Sequence, residues 1–403
     1  MAWPTRPSSN CCDRWRNLRG GTMRSTAYGP EHDAFRKLVR DFLNREVVDH
    51  FPDWEQAGVV PREVFVKLGE LGIPGLQVPE RYGGGGATSF KYNAIVSEET
   101  ARAGVSLGGL SVHMNVVLPY FLAYGDEEQK ARWLPGLAGG ELMSSIAMTE
   151  PGTGSDLAGM STTARREGGD YVLNGAKTFI TGGINADLVL VVARTGRGGD
   201  RRDGLSLLVV ERGMPGFERG RNLDKLGLKA QDTAELSFTD VRVPAANLLG
   251  AEGAAFGYLT GNLPQERLSI AVAAQAAAEA ALETTLEYVR ERRAFGTPVS
   301  SFQNTKFELA ACATEIEAGR ALLDRALGEH DDGALSGADA AKVKIFCTEL
   351  QARVVDRCLQ LHGGYGYIRE YRIARLYADA RVTRIFGGTT EVLKTIVAKS
   401  LGL

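Results

Sequence analysis

A chain of 403 residues holds enough material for two or three domains with substantial cores. Its formal net charge of −2 argues against a dedicated nucleic-acid binder, which would be basic, and no apolar run approaches the roughly 18 residues that cross a bilayer. Hydrophobic and charged contents of 44% and 24% are those of an ordinary globular protein.

The five cysteines, Cys11, Cys12, Cys312, Cys347 and Cys358, are spaced too widely for a zinc site. The last three fall in helix-like apolar patterns and read as buried thiols of a reducing compartment. Residues 1–22 are rich in Arg, Ser and Gly, with one acid, Asp13. A transit peptide is one reading. Pro4 and Pro7 spoil an amphipathic helix, however, and Met23 offers another start, so a disordered extension over 1–28 is expected.

Residues 29–145 read as a helical domain. Phe35, Leu38, Val39, Phe42 and Leu43 repeat at helical spacing, as do Phe65, Leu68 and Leu71 between Pro61 and Pro74. Gly83 to Gly86 lack the lysine and strand-to-helix context of a phosphate loop, so a flexible connector is expected. A helix is read over Ser89–Ala103, a small-residue segment through His113 to Tyr124, and a short helix over Glu127–Leu134.

Residues 146–255 change to a period of two. In Ala147–Gly159, Thr149, Glu150, Ser155 and Asp156 interleave with Pro151, Gly152, Gly154 and Gly159. Glycine frees backbone N–H groups to face a ligand, and Ser and Thr add small donors, so this is a loop wrapped on acceptor oxygens or a plain surface loop. Asn174-Gly175 signals a hairpin turn. Leu188–Ala193, Leu205–Val210 and Ala234–Val243 are strands, and the spacing points to a compact β barrel or sandwich.

Residues 256–403 are helical again. Asn262 reads as an N-cap with Pro264 in the first turn of a helix reaching about Arg293. Further helices cover about Ser301–Leu327, Ala338–His362 and Tyr371–Phe386, with a last one from Thr390, implying a four-helix bundle. The fold class is α+β, in three blocks. No strand–GxGxxG–helix unit exists, which argues against a Rossmann dehydrogenase.

Six runs carry a resemblance: AMTEPGTGSD at Ala147–Asp156, NGAKTFIT at Asn174–Thr181, KLGLKAQDTA at Lys225–Ala234, ERRAFG at Glu291–Gly296, QLHGGYG at Gln360–Gly366 and GGTTE at Gly387–Glu391. In this order, the chain resembles an acyl-CoA dehydrogenase over about residues 30–400. Gln265–Leu268 and Ile385–Glu391 are most similar to the long-chain type, with the isovaleryl type next. The resemblance implies FAD held between the middle and C-terminal domains, and a homotetramer built as a dimer of dimers. It implies oxidation of a medium-, long- or branched-chain acyl-CoA to the trans-2-enoyl-CoA, and an electron-transferring flavoprotein as acceptor.

Position by position, the resemblance implies that Ile146, Ala147, Met148 and Thr149 line the flavin edge. Gly154 and Ser155 would lie near the pyrophosphate, Ser155 also near substrate. Phe179, Ile180 and Thr181 would meet the isoalloxazine. Arg292, Phe295 and Gln303 would reach the cofactor of a neighbouring subunit, supported by Gln360, Gly363 and Gly364, while Thr389 and Glu391 would contact the ribityl arm. Most of these positions also have bland readings: Phe179 and Thr181 as ordinary strand residues, Arg292 at a helix C-terminus, Gly363 as a helix stop, Thr389 and Glu391 as a cap. Glu150 and Asp156 would only brace the loop, and His362 would be a packed helix-end residue.

The base is the informative position. Many members of the family place a glutamate just before the Gly-Thr of the last motif, where this chain has Gly387. The long-chain and isovaleryl types use a glutamate on the bundle helix, here Glu266, which is otherwise a first-turn acid stabilising a helix dipole. The thioester oxygen would then be held by the Gly387 N–H and a flavin hydroxyl, with Gly388 beside it, while Arg267 would orient the helix start or approach coenzyme A. A same-fold oxidase or monooxygenase and a non-catalytic acyl-CoA-binding subunit are the alternatives. Small residues such as Ala103, Gly104 and Gly108 leave acyl length open. The Ala, Arg and Gly bias points to a bacterial cytoplasm, with the mitochondrial matrix as the alternative.

Overall fold

The computed structural model describes residues 25–196 and 200–403. Most of the expected N-terminal extension, with Cys11 and Cys12, lies outside the described residues. Its last part is docked: the Thr26 N–H donates to Asp324 at 2.9 Å and the Tyr28 hydroxyl to Glu98 at 2.9 Å.

The first block comprises α1 (Pro30–Glu46), α2 (Phe51–Ala57), α3 (Arg62–Glu70), α4 (Lys91–Ala103), α5 (residues 110–124) and α6 (Glu127–Ala138). Asp126 caps α6 by accepting from the Gln129 N–H at 2.8 Å, a reciprocal pair with the Gln129 side chain. The glycine run at 83–86 is no flexible connector. Gly85, Gly86 and Ala87 donate to the carbonyls of Gly75, Val78 and Leu76, and a Cβ on Gly84 would stand 2.1 Å from the Val78 oxygen. Glycine is there because one backbone lies directly on another.

The middle block is an eight-stranded sheet in the order β6-β7-β3-β2-β4-β5-β8, with β1 paired parallel to β4. Its strands are β1 (Ser144–Ala147), β2 (Thr163–Glu167), β3 (Asp170–Thr181), β4 (Leu188–Arg194), β5 (Leu205–Glu211), β6 (Phe217–Asn222), β7 (Thr233–Pro244) and β8 (Leu248–Leu249). The halves meet through one pair, Thr163 with Arg194. Their inner faces share a core, with Leu173, Leu236 and Phe238 from one and Val189, Val191 and Leu208 from the other. The opposite face of β4 and β5 packs on Phe121, Trp133 and Leu259 of the helices.

Asn174-Gly175 is not a turn. β3 runs straight through it, and the hairpin closes at Gly168-Gly169, where Glu167 pairs with Asp170. Asn174 and Gly175 instead form a bulge opposite β7. Asn174 exchanges two hydrogen bonds with Asp240, at 3.0 and 2.9 Å. A Cβ on Gly175 would stand 2.5 Å from the Thr162 hydroxyl. Close backbone approach, rather than a reversal, selects this glycine.

The last block holds α7 (Ala255–Glu291), α8 (Gln303–Asp331), α9 (Gly337–His362), α10 (Arg372–Thr383) and α11 (Thr390–Ser400). α7 begins seven residues before the expected cap at Asn262, because Ala255 and Leu259 are already buried against the sheet. Pro264 therefore sits inside the helix, at a cost of about 3 kcal/mol in an isolated helix. Contacts with α5 offset it. That helix carries one π-helical turn, His113–Val117, followed by Pro119, which cannot donate to the Asn115 carbonyl. The Gln265 amide supplies that donor at 2.9 Å, and Asn262 donates to the Val116 carbonyl at 3.1 Å. His362 is a packed helix-end residue, stacked on Tyr288.

A buried ion cluster locks the first block to the bundle. Arg320 bridges Glu98 at 2.7 Å and Glu279 at 2.6 Å, and Arg36 bridges Glu98 and Glu99, each at 2.7 Å. Burial alone would raise Glu98, but Arg320, Arg36 and Arg102 outweigh it and hold the carboxyl well below its usual range. Arg320→Leu would leave two carboxylates short of their cation, so we expect a loss of about 3–5 kcal/mol in urea unfolding.

Candidate active site

The candidate residues of the first group lie on two glycine-bearing loops, one from the sheet and one from the bundle. On the sheet side, the Thr178 N–H donates to the Thr149 carbonyl at 2.9 Å. Lys177, 1% exposed, donates to the Met148 carbonyl at 3.0 Å and to Glu150 at 2.9 Å. Glu150 also accepts from the Ser161 N–H and hydroxyl and from the Thr162 N–H. Burial opposes its charge, yet the Ser161 and Thr162 bonds and the Lys177 ammonium bring it down to about 2. It is a brace for the loop, as expected. Asp156 pairs with Arg201 at the surface.

Phe179 stands at the end of β3 with φ 59 and a ring 68% exposed. A left-handed phenylalanine that keeps its ring in the open is an unusual expenditure of backbone freedom. Thr181 is partly open beside it and accepts from Gln231 at 3.4 Å. Ile180 and Ala147 turn the other way, into the sheet core. Ile146 is 9% exposed, Met148 and Thr149 are half-buried, and Gly154 and Ser155 lie exposed on the loop.

On the bundle side, Gly387 and Gly388 take φ 64 and 98, left-handed values that favour glycine. A Cβ on Gly387 would stand 2.3 Å from Ile270 Cδ1 and 3.6 Å from Glu266 Oε1. The turn of α7 that bears Glu266 and Ile270 thus lies against the glycine loop. Glu266 lies deep in the molecule yet keeps part of its surface open, as a residue lining a cleft does. Burial pushes its carboxyl above the ordinary value, while Arg267 and Lys344 pull the other way. Arg267 is in mid-helix, 5% exposed, with Nε 3.5 Å from the Gly387 carbonyl. It supports the glycine loop and does not start the helix, which begins at Ala255. Thr389 caps α11 by accepting from the Val392 N–H, and its partner Glu391 is exposed in the first turn.

The remaining candidates form a second group. Arg292 lies 5.3 Å over the Tyr365 ring, at the far end of α7. Near it lie Phe295 (φ 53, 97% exposed), Gln303 at the start of α8, and Gln360, Gly363 and Gly364 at the end of α9. From Glu266 to Arg292 the helix rises roughly 39 Å. The two groups therefore stand far apart along α7. Sequence reasoning missed Lys177, Lys344 and Tyr120, which is 1% exposed and feels the Glu266 charge. Among the described residues no cluster of His, Cys, Asp or Glu suits a metal ion, and no helix is long and apolar enough to cross a membrane.

Three family models cover the chain: the acyl-CoA dehydrogenase N-terminal domain over residues 29–141, the middle domain over 145–241 and the C-terminal domain over 253–402. The mitochondrial long-chain specific acyl-CoA dehydrogenase of Sus scrofa is 47% identical, across 93% of this chain and 87% of its own length. The crystal structure of an acyl-CoA dehydrogenase from Geobacillus kaustophilus superposes with a TM-score of 0.93 at 49% identity, covering 94% of this chain and 100% of its own. A glutaryl-CoA dehydrogenase from Mycobacterium smegmatis in complex with FADH2 superposes with a TM-score of 0.85 at 29% identity, over 93% and 95% of the two chains. With the three-part fold and matches at this coverage, the chain belongs to the acyl-CoA dehydrogenase family.

Proposed function

We propose that this enzyme oxidises an acyl-CoA of medium, long or branched chain to its trans-2-enoyl-CoA, with Glu266 as the base. The observation that carries the reading is the contact between a deep, partly open carboxylate and a glycine at the position where many relatives carry theirs. A glutamate side chain on Gly387 would enter the space held by Ile270 and Glu266. One site has room for one base, and α7 supplies it.

The cofactor is FAD, and the sheet-side loop suits it. An exposed Phe179 ring in strained backbone, beside the half-open Thr181, is a platform for a flat ring system. Ile146 to Thr149, Gly154, Ser155, Phe179, Thr181 and the Thr389–Glu391 turn would hold it. When bound, FAD supplies the two-electron acceptor for the β-hydrogen. The protein's own share is proton removal and carbonyl polarisation. Glu266, pushed up by desolvation, takes the α-proton more readily than a hydrated carboxylate would. The Gly387 N–H makes no hydrogen bond among the described residues and would donate to the thioester oxygen.

Arg292, Phe295, Gln303, Gln360, Gly363 and Gly364 would serve the cofactor of a neighbouring subunit, in a homotetramer. The long span of α7 supports this division, as do the exposed Phe295 and Tyr367 rings. An electron-transferring flavoprotein would take the electrons onward. Three buried free thiols, Cys312, Cys347 and Cys358, suit a reducing compartment such as the bacterial cytoplasm.

Glu266→Gln is expected to lower the rate of anaerobic flavin bleaching by dodecanoyl-CoA roughly 10²- to 10⁴-fold with FAD retained; wild-type bleaching would sink the assignment. Because the free base must be ionised and its pKa is raised, kcat/KM should fall as pH drops, with an acid-limb midpoint above 4.5. A midpoint at or below that value would contradict the desolvated site. Gly387→Ala puts a methyl on left-handed backbone and into Ile270, so denaturant unfolding should show a loss of about 1–3 kcal/mol.

A further inference from the structure

Lys177 and Lys344 stand out among the described lysines for their burial, at 1% and 0% exposed. Lys177 has the Glu150 carboxylate for a partner. Lys344, on α9, forms no ion pair among the described residues. Its ammonium donates to the carbonyls of Phe386 at 2.7 Å and Gly388 at 2.6 Å. Burial brings it down to about 8, aided by the nearby Arg267. An ammonium taken out of water and given neutral acceptors is an unfavourable arrangement that a plain anchoring contact does not require.

Its two acceptors flank Gly387. The peptide bonds are all trans among the described residues, and a planar trans peptide points its N–H opposite to its C=O. With the Phe386 carbonyl turned onto Lys344, the Gly387 N–H points away from it. Arg267 holds the next carbonyl, that of Gly387 itself. The left-handed φ values at Gly387 and Gly388 let three successive carbonyls meet these two cations. A lysine suits the place because its three donors spread around one compact charge, reaching carbonyls two residues apart.

We propose that Lys344 is a positioning residue for the oxidation: by holding the Phe386 and Gly388 carbonyls, it aims the Gly387 N–H at the thioester oxygen. This rests on the reading of Glu266 as base and Gly387 as donor. The two cations also stay bonded to carbonyls, so neither closes on Glu266 to form an ion pair that would weaken it as a base. The groups facing Lys344 are Glu266 and Arg267 from α7, together with the loop carbonyls of residues 386–388.

The test is the infrared carbonyl stretch of dodecanoyl-CoA, ¹³C-labelled at the carbonyl, bound to holoenzyme reduced beforehand so that no turnover occurs. Wild type is expected to lower the stretch relative to the free thioester. Lys344→Met should lose most of that shift and lower kcat roughly 10- to 100-fold, less than outright loss of a donor would in the most sensitive cases, with KM moved far less. Lys344→Gln, which keeps a neutral donor, should fall between, and it decides the matter by the same readings if the methionine variant does not fold. A folded variant with lowered melting temperature but wild-type shift and kcat would reduce Lys344 to an anchor and overturn the proposal. If wild type itself shows no shift, the Gly387 donor is wrong and the proposal falls with it. A wild-type shift that survives in both variants leaves the donor standing and removes Lys344 alone.

Discussion

A carboxylate kept partly out of water, with cations near but not bonded to it, is the constraint on which the centre of this molecule depends. Glu266 forms no ion pair among the described residues, although Arg267 and Lys344 both feel its charge. A direct pair would favour the charged form and depress the pKa by one unit or more, each unit being about 1.4 kcal/mol. No cation at all would leave the full desolvation penalty and a carboxyl slow to ionise. The structure takes the middle course. Both cations are spent on the carbonyls of residues 386–388, and their fields moderate the burial of Glu266 without cancelling it.

That balance requires a rigid frame. The turn bearing Glu266 lies just past Pro264, where α7 is weakest in its own hydrogen bonding. Gln265 and Asn262 restore order there by donating to the π-helical turn of α5. The Tyr124 and Tyr258 rings stack 3.8 Å apart along the same seam. Farther along, Arg320 and its carboxylates tie α1, α4, α7 and α8 into one body. On the sheet side, Asp379 of α10 accepts from the Leu228 N–H and so ties the sheet to the bundle. The cleft is therefore set by polar contacts between blocks, with apolar cores behind them.

How much was legible beforehand depended on whether a signal was local. The three-block order followed from periodicity, and the pairing of Glu266 with Gly387 from the resemblance to the long-chain and isovaleryl types. Local rules failed where a neighbour overrode them. Asn174-Gly175 carries strong turn chemistry, but β7 and Thr162 claim it for a bulge. Asn262 and Pro264 look like a helix start, but buried Ala255 and Leu259 extend the helix upstream. Gly83 to Gly86 look loose and are pressed on residues 75–79. Lys344 was not singled out in the sequence. Yet it shares the buried stripe of Ala340, Ala341, Cys347 and Thr348 on α9, so helical spacing alone marks it as facing inward. What no spacing conveys is its choice of carbonyls over a carboxylate.

α7 also acts as a ruler. It carries Glu266 in its first half and Arg292 at its far end, roughly 39 Å apart along the helix. The aromatic side chains at the far end, Phe295 and Tyr367, are 97% and 89% exposed, and Phe307 is 63% exposed on α8. Scattered apolar side chains on a surface need no explanation, but rings of this size gathered beside an arginine at the tips of a bundle do. Phe295 and Gly296, with φ 53 and 81, form the two-residue turn of a hairpin that pairs Ala294 with Thr297, and this turn holds the Phe295 ring outward. The proposal that a second subunit's cofactor occupies this end gives these exposed rings a use.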